Sequence, residues 1–327
     1  MSTARHISLE VIRDAASAIY GVAVRTPLVR LPVPDDSALG RSSGAELYLK
    51  LETLQSIGSF KIRGAYNAIR QLTPDELSRG IWTVSAGNAA QGVALAARTR
   101  GASCSVMVMD TAPTTKCAAI ERLGARLIKA SHDECWQTVE SHTSERMDGV
   151  FVHRFDDDRF IAGNATTGLE IFEDLPDVDA VIVPVGGGGL IAGLGSALHA
   201  LKPGTKILAA EPKTAAPLAV SLRAGAASRF PDWEASFVDG AGGKAILPSM
   251  WPLLSTLVDD SIVVSLDEVA HAMRLVAERA HIIAEGAAAC AVAAALTGRA
   301  GSGKIVAVVS GGNIDLARFT SLTTDSE

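Results

Sequence analysis

Short apolar, β-branched runs alternate with stretches of helical period along almost the whole chain. The runs Leu47–Leu51, Ile81–Ser85, Ser105–Met109, Arg126–Lys129, Val150–His153, Ala180–Val185, Lys206–Ala210 and Lys304–Ser310 predict strands. Their alternation with helices is the pattern of a parallel sheet covered by helices. Helix ends are also legible. In TPDELSRG, Thr73 is an N-cap, Pro74 takes the first helical position, Glu76 closes a capping box and Gly80 lies just past the end. After Lys61, residues Ile62, Ala65, Tyr66, Ile69 and Leu72 share one helical face, which puts Lys61 at the N-terminal edge, able to point out of the packed surface.

Three of the strands end in turns of small residues: TVSAGN at 83–88, VPVGGGGL at 183–190 and VVSGGN at 308–313. Ligands in open parallel sheets collect at the carboxyl ends of strands, so three such turns predict one shared cleft. The glycines Gly186, Gly187, Gly188 and Gly189 precede an apolar helix beginning near Leu190, and without Cβ atoms their N–H groups can approach an anion at the positive end of the helix dipole. The segment has three readings. Gly187, Gly189 and Ala192 match a dinucleotide fingerprint, with Glu211 at the end of the next strand as ribose partner. A different phosphate ligand, or a purely structural turn, fits as well. Lys61 has its own bland reading as a solvated first-turn lysine.

The chain of 327 residues is long enough for two domains or one large α/β unit, and its 48% hydrophobic content suffices for a sizeable core. The net charge of −6, with bases scattered among acids, excludes a basic stripe for nucleic acid. The N-terminal MSTARHISLE lacks a signal-peptide core, and no apolar run reaches the roughly 20 residues of a membrane span, so a cytoplasmic protein is expected. Cys104, Cys117, Cys135 and Cys290 have no paired spacing and read as reduced structural thiols.

A lysine following an aromatic residue, a phosphate cradle and a polar turn together imply a cofactor with a phosphate and an aldehyde, which describes pyridoxal 5'-phosphate. The segments RTPL (25–28), SFKIRGA (59–65), SAGNAAQGVA (85–94), GGGGL (186–190) and SGGN (310–313) stand in the same order as in a known group. Shorter matches fill the gaps: RLGA (122–125), FDD (155–157), IAGNATTGLEI (161–171) and LVDD (257–260). Over nearly its whole length the chain resembles the fold-type II pyridoxal-phosphate enzymes of the threonine/serine dehydratase and serine racemase family. The resemblance implies a tryptophan synthase β-like fold of two open parallel-sheet α/β domains with the cofactor cleft between them. Residues 1–80 and 156–327 would form the large domain and 81–155 the small one. It further implies that Lys61 joins the cofactor aldehyde and later acts as base at Cα, that Phe60 packs on the pyridine ring, and that Asn88 meets the ring hydroxyl. Ser85, Gly87 and Asn88 would offer donors to the substrate carboxylate, Gly186 to Gly189 would hold the phosphate, and Ser310 would face the pyridine nitrogen. A neutral serine there leaves that nitrogen unprotonated, which favours rapid elimination over transamination.

The chain departs from the family at several positions. Ala86 stands where racemases carry the hydroxyl of their second acid/base, and Ala89 replaces a histidine near the substrate, opening volume beside Cβ. Pro217 falls where metal-binding relatives carry a carboxylate, so no metal site is expected. AEG at 284–286 replaces a more frequent Glu-Pro, and with few residues following Ser310 no C-terminal regulatory domain is expected. The expected activity is elimination of water from a β-hydroxy amino acid such as L-threonine or L-serine, giving a 2-oxo acid and ammonia, in a homodimer or higher homo-oligomer. Alternatives within the family are the same chemistry on a bulkier substrate of phenylserine or hydroxyaspartate type, and β-replacement as in cysteine synthase. A dinucleotide-binding oxidoreductase or a non-catalytic binding module would be the reading from another class.

Overall fold

A computed structural model describes residues 5–41 and 44–324. Among the described residues ten strands build two sheets: β1 (Leu28–Leu31), β2 (Ala45–Leu51), β3 (Ile81–Val84), β4 (Cys104–Met109), β5 (Arg126–Ala130), β6 (Val150–Phe151), β7 (Ala180–Pro184), β8 (Lys206–Pro212), β9 (Asp260–Val264) and β10 (Gly303–Val309). The larger sheet has the order β1-β2-β10-β7-β8-β9 and the smaller β5-β4-β3-β6. Every pairing is parallel except β1 with β2. The predicted alternation of strands and helices is thus present, and parallel strands buried on both faces explain why β7 and the end of β10 are apolar at successive positions.

The register sets the cleft. Val309 pairs with Leu51, and Pro184 with Ala210, so β2, β10, β7 and β8 finish along one edge. In the smaller sheet the last residue of β3, Val84, pairs with Met107, two residues before the end of β4. The helix Gly286–Leu296, with alanine at seven of its eleven positions, is buried from Gly286 to Ala295 and packs on β10, β7, β8 and β9; small side chains let a helix lie this close to a sheet.

Two strands escape the sequence pattern. β1 is a four-residue antiparallel edge between Pro27 and Pro32, and β9 is an edge strand that starts on the exposed Asp260; edges bury only part of their surface, which weakens the apolar signal. β6 is shorter than predicted. His153 leaves the sheet because its Nδ1 accepts the N–H groups of Phe155 and Asp156, at 3.3 and 2.7 Å, and its Nε2 lies 3.2 Å from the Val139 carbonyl. Burial holds this imidazole neutral, with a pKa lowered to about 3, which suits a ring that must accept at Nδ1 and donate at Nε2. The capping box of Thr73 and Glu76 forms as expected, over a short helix Pro74–Ser78.

Candidate active site

Lys61 opens the helix Lys61–Arg70 and is far from solvated. Its Nζ donates to the Arg154 carbonyl at 2.8 Å and lies 5.0 Å from the Phe60 ring centroid and 5.5 Å from that of Phe160. Burial, helped by the positive charge of Arg154 and opposed only by Glu285, lowers the amine to a pKa of about 7. The residues before it are tied to the last strand: Ser59 bridges Gly311, and the Phe60 N–H donates to the Ser310 carbonyl at 3.0 Å. Phe60 and Ser310 are both buried. The hydroxyl of Ser59, also buried, has no partner.

A buried charge network fixes this helix from beneath. Arg63 is fully buried and makes six hydrogen bonds: to both oxygens of Glu52 at 2.8 Å, to both oxygens of Glu170 at 2.6 and 2.9 Å, to Thr166 at 3.0 Å and to the Val24 carbonyl at 3.2 Å. Lys50, equally buried, holds Glu170 at 2.7 Å. Two cations meet two carboxylates, which is the condition for burying charge without a large penalty.

The turn after β3 begins with Ser85, whose hydroxyl accepts the Gly87 N–H at 3.1 Å, and leads into the helix Asn88–Thr99. Ala86 is partly buried and Ala89 buried. The side chain of Asn88 is held at both ends: Nδ2 donates to Glu285 Oε1 at 2.7 Å, and Oδ1 accepts from Asn313 at 2.7 Å, while Asn313 also donates to the Ile57 carbonyl. Burial and the nearby Asp239 raise the Glu285 carboxyl to about 7, despite the Asn88 hydrogen bond.

The glycine turn follows β7 and runs into the helix Gly189–Leu201. Gly188 has φ of +90°, and a Cβ on Gly187 would stand 2.4 Å from the Phe155 ring, so neither position takes another residue without distortion. Phe155 adjoins Arg154, so one dipeptide links the glycine turn to the Lys61 amine. Glu211, by contrast, is occupied. Its carboxylate accepts the N–H groups of Leu218 and Ala219, both at 2.8 Å, and the Ser261 hydroxyl at 2.5 Å, where the helix Pro217–Ala224 begins. It is committed to capping that helix and does not serve a ribose, which removes the second half of the dinucleotide fingerprint. Among the described residues no cluster of three or more His, Cys, Asp or Glu is arranged to hold a metal.

The structure thus brings Lys61, Phe60, Ser85–Ala89, Gly186–Gly189 and Ser310 to one region. Sequence reasoning assigned no role to Arg154 or Asn313, and kept Glu285 without an account. Asn313 ends the SGGN motif and Glu285 lies in AEG, so a local signal existed for both; Arg154 had none. The arrangement fits pyridoxal phosphate: a near-neutral amine, a side-chain-free turn at a helix N-terminus, and an aromatic ring beside the amine.

Fold and site together define a fold-type II pyridoxal-phosphate enzyme. The chain belongs to the pyridoxal-phosphate dependent enzyme family, whose model matches residues 19–311. It is 41% identical over 313 residues to the L-threonine ammonia-lyase of Thermotoga maritima, covering 95% of this chain and 76% of that one. A catabolic L-threonine dehydratase of Staphylococcus aureus is 37% identical over 328 residues, 98% of this chain and 93% of the relative. The solved serine racemase of maize superposes with a TM-score of 0.87 at 34% identity, covering 98% of this chain and 97% of that one.

Proposed function

We propose that the protein is a pyridoxal-phosphate-dependent dehydratase that removes water from a β-hydroxy amino acid, L-threonine or L-serine, and releases a 2-oxo acid and ammonia. The observation that carries this reading is the Lys61 amine, near neutral and held at 2.8 Å by a carbonyl at the meeting point of three strand-end turns, in a chain 41% identical to an L-threonine ammonia-lyase. When bound, the cofactor supplies an aldehyde for amines and a ring that withdraws electrons from Cα. The residues do the rest. Lys61, with its amine lowered to a pKa of about 7, would hold the cofactor through its aldehyde and would serve as the base for the α-proton; a tethered base gains on the order of 7 kcal/mol from proximity. Ser85, Gly87 and Asn88 orient the substrate carboxylate with the turn's donors. Gly186 to Gly189 would take the phosphate at the start of the helix Gly189–Leu201. Phe60 would support the ring, and Ser310 would meet its nitrogen. Asn88 has one amide hydrogen left after Glu285, which is available to the ring hydroxyl.

Residues 81–155 act as the small domain and 1–80 with 156–327 as the large one in this reading, and the enzyme works in the cytoplasm as a homodimer or higher oligomer. No described helix is long and apolar enough to cross a membrane. The test is to reduce the purified protein with borohydride, map the labelled peptide, and assay 2-oxo acid release from L-threonine and L-serine. A label on Lys61 with 2-oxo acid formation is expected; a label elsewhere, or none, ends the reading.

A further inference from the structure

Arg154 carries its charge to the cleft without a protein counter-charge. It lies between β6 and the helix Asp158–Asp174, and while its carbonyl holds the Lys61 amine, its side chain runs to the end of β3, where Nη1 donates to the Val84 carbonyl at 3.2 Å. Val84 directly precedes the Ser85–Ala89 turn, and the guanidinium carbon is 5.8 Å from the Phe155 ring centroid. That bond uses one of five N–H donors. Among the described residues Arg154 makes no other hydrogen bond and no ion pair, and burial lowers its pKa with only the Cys135 thiol opposing. Arg63 shows the contrast: the same side chain, fully buried in the network beneath the helix, is given two carboxylates and six hydrogen bonds. A guanidinium is the side chain best matched to a carboxylate, and this one belongs to the residue whose carbonyl holds the amine proposed to act at Cα.

We propose that Arg154 anchors a second carboxylate on the substrate, so that the preferred substrates are dicarboxylic β-hydroxy amino acids of the 3-hydroxyaspartate class. This rests on the elimination reading above and narrows its substrate. The α-carboxylate has the donors of the Ser85–Ala89 turn, and the cofactor phosphate has the glycine turn, which meets Phe155 rather than Arg154. A carboxylate on Cβ is the remaining anion that a substrate brings, and L-threonine offers only a methyl group there. The chemistry balances without an oxidant or reductant. The Cα–H and Cβ–O bonds break and water leaves; water then adds to the enamine and ammonia departs, which converts 3-hydroxyaspartate into oxaloacetate.

The test compares kcat/KM for L-threonine, L-serine and both diastereomers of 3-hydroxyaspartate in the wild type, Arg154→Met and Arg154→Lys. The wild type is expected to favour one 3-hydroxyaspartate over L-threonine by at least about tenfold, and Arg154→Met to lower that ratio by about 30- to 100-fold, the range for a lost charged hydrogen-bond pair. Arg154→Lys should keep part of the preference. Binding is read separately: succinate should raise the melting temperature of the wild-type holoenzyme and compete with substrate, and should do neither in Arg154→Met. A wild type that favours L-threonine, a ratio unmoved in Arg154→Met, or succinate binding that survives the substitution overturns the proposal while leaving the dehydratase reading intact. Absence of 2-oxo acid from every substrate would instead sink the dehydratase reading, and succinate binding would then still decide the role of Arg154.

Discussion

Replacing Arg63 by methionine tests whether the site is held from beneath by charge. The substitution keeps length and apolar volume, removes six hydrogen bonds, and leaves Glu52 and Glu170 buried with Lys50 as the only cation in the network. Breaking a buried pair by deleting one partner costs about 3 to 5 kcal/mol, because the remaining charge is stranded. The loss depends on pH in a definite direction. In the wild type, burial pushes the Glu170 carboxyl up, but Arg63 and Lys50 outweigh it and hold the group below its ordinary range, so its contribution is present above the unfolded pKa and is lost as pH falls. Without Arg63, burial is less opposed and the carboxyl moves up. A carboxyl whose folded pKa is raised penalises the native state at high pH, and protonation relieves that penalty as pH drops. The difference between wild type and Arg63→Met should therefore be largest near pH 8 and clearly smaller near pH 5. Urea unfolding of the cofactor-free proteins, followed by tryptophan fluorescence at both pH values, measures it. Arg63→Lys should lose less, since it keeps the charge and gives up only the fork geometry, and Glu52→Gln added to Arg63→Met should recover part of the loss. A loss below about 1 kcal/mol, or one equal at the two pH values, would refute the argument.

Gly187→Ala places a Cβ 2.4 Å from the Phe155 ring and should cost about 1 to 3 kcal/mol while weakening cofactor retention; equilibrium dialysis against pyridoxal phosphate checks the second effect, and unchanged retention would count against the glycine turn as the phosphate site. The rate at which apoenzyme captures the cofactor should rise with pH around 7 and level off by about pH 8, since the neutral amine is the attacking form; a stopped-flow midpoint near 10, the ordinary lysine range, would refute the lowered value for Lys61. Incubation with L-serine should give pyruvate and ammonia with little D-serine, because Ala86, at the position where the family resemblance puts the second acid/base, has no proton to donate; chiral chromatography showing D-serine formed as fast as pyruvate would mean that another group supplies it.

How much of this was legible in the sequence differs between strand ends and the contacts across them. The three small-residue turns were readable because each is local: a strand that must stop and expose backbone uses Gly, Ser, Ala and Asn within a few residues. Lys61 was readable for the same reason, from its place after Phe60 and at a helix start. What the chain could not announce were pairs between distant segments. Asn88 meets Glu285 across 197 residues and Asn313 across 225, and Lys61 meets the Arg154 carbonyl across 93. None of these has a spacing that pattern reading could catch. Glu211 shows the opposite failure: it stands at the distance expected of a ribose partner, yet its carboxylate is taken by two backbone N–H groups and a serine hydroxyl, which only the packing of β8 against the helix Pro217–Ala224 reveals.

The buried charges sort into two groups, and the division bears on function. Around Arg63 the cations and carboxylates are equal in number and bonded directly, so the network is satisfied before any ligand arrives and can fix the start of the catalytic helix. Around Lys61 they are not. Burial depresses both Lys61 and Arg154, the charge of Arg154 lowers Lys61 further, and the carboxyl that opposes this at Lys61, Glu285, is itself raised to about 7 by burial. A site left with cations and donors but no matching anions is electrostatically incomplete, and a low-dielectric setting makes that incompleteness costly. The anions that would complete it are the ones the proposed chemistry brings: a cofactor phosphate at the glycine turn, an α-carboxylate at Ser85–Ala89 and, at Arg154, a second carboxylate. Binding energy from those anions is then available to hold Cα against Lys61, while the neutral network below keeps the lysine from yielding its position.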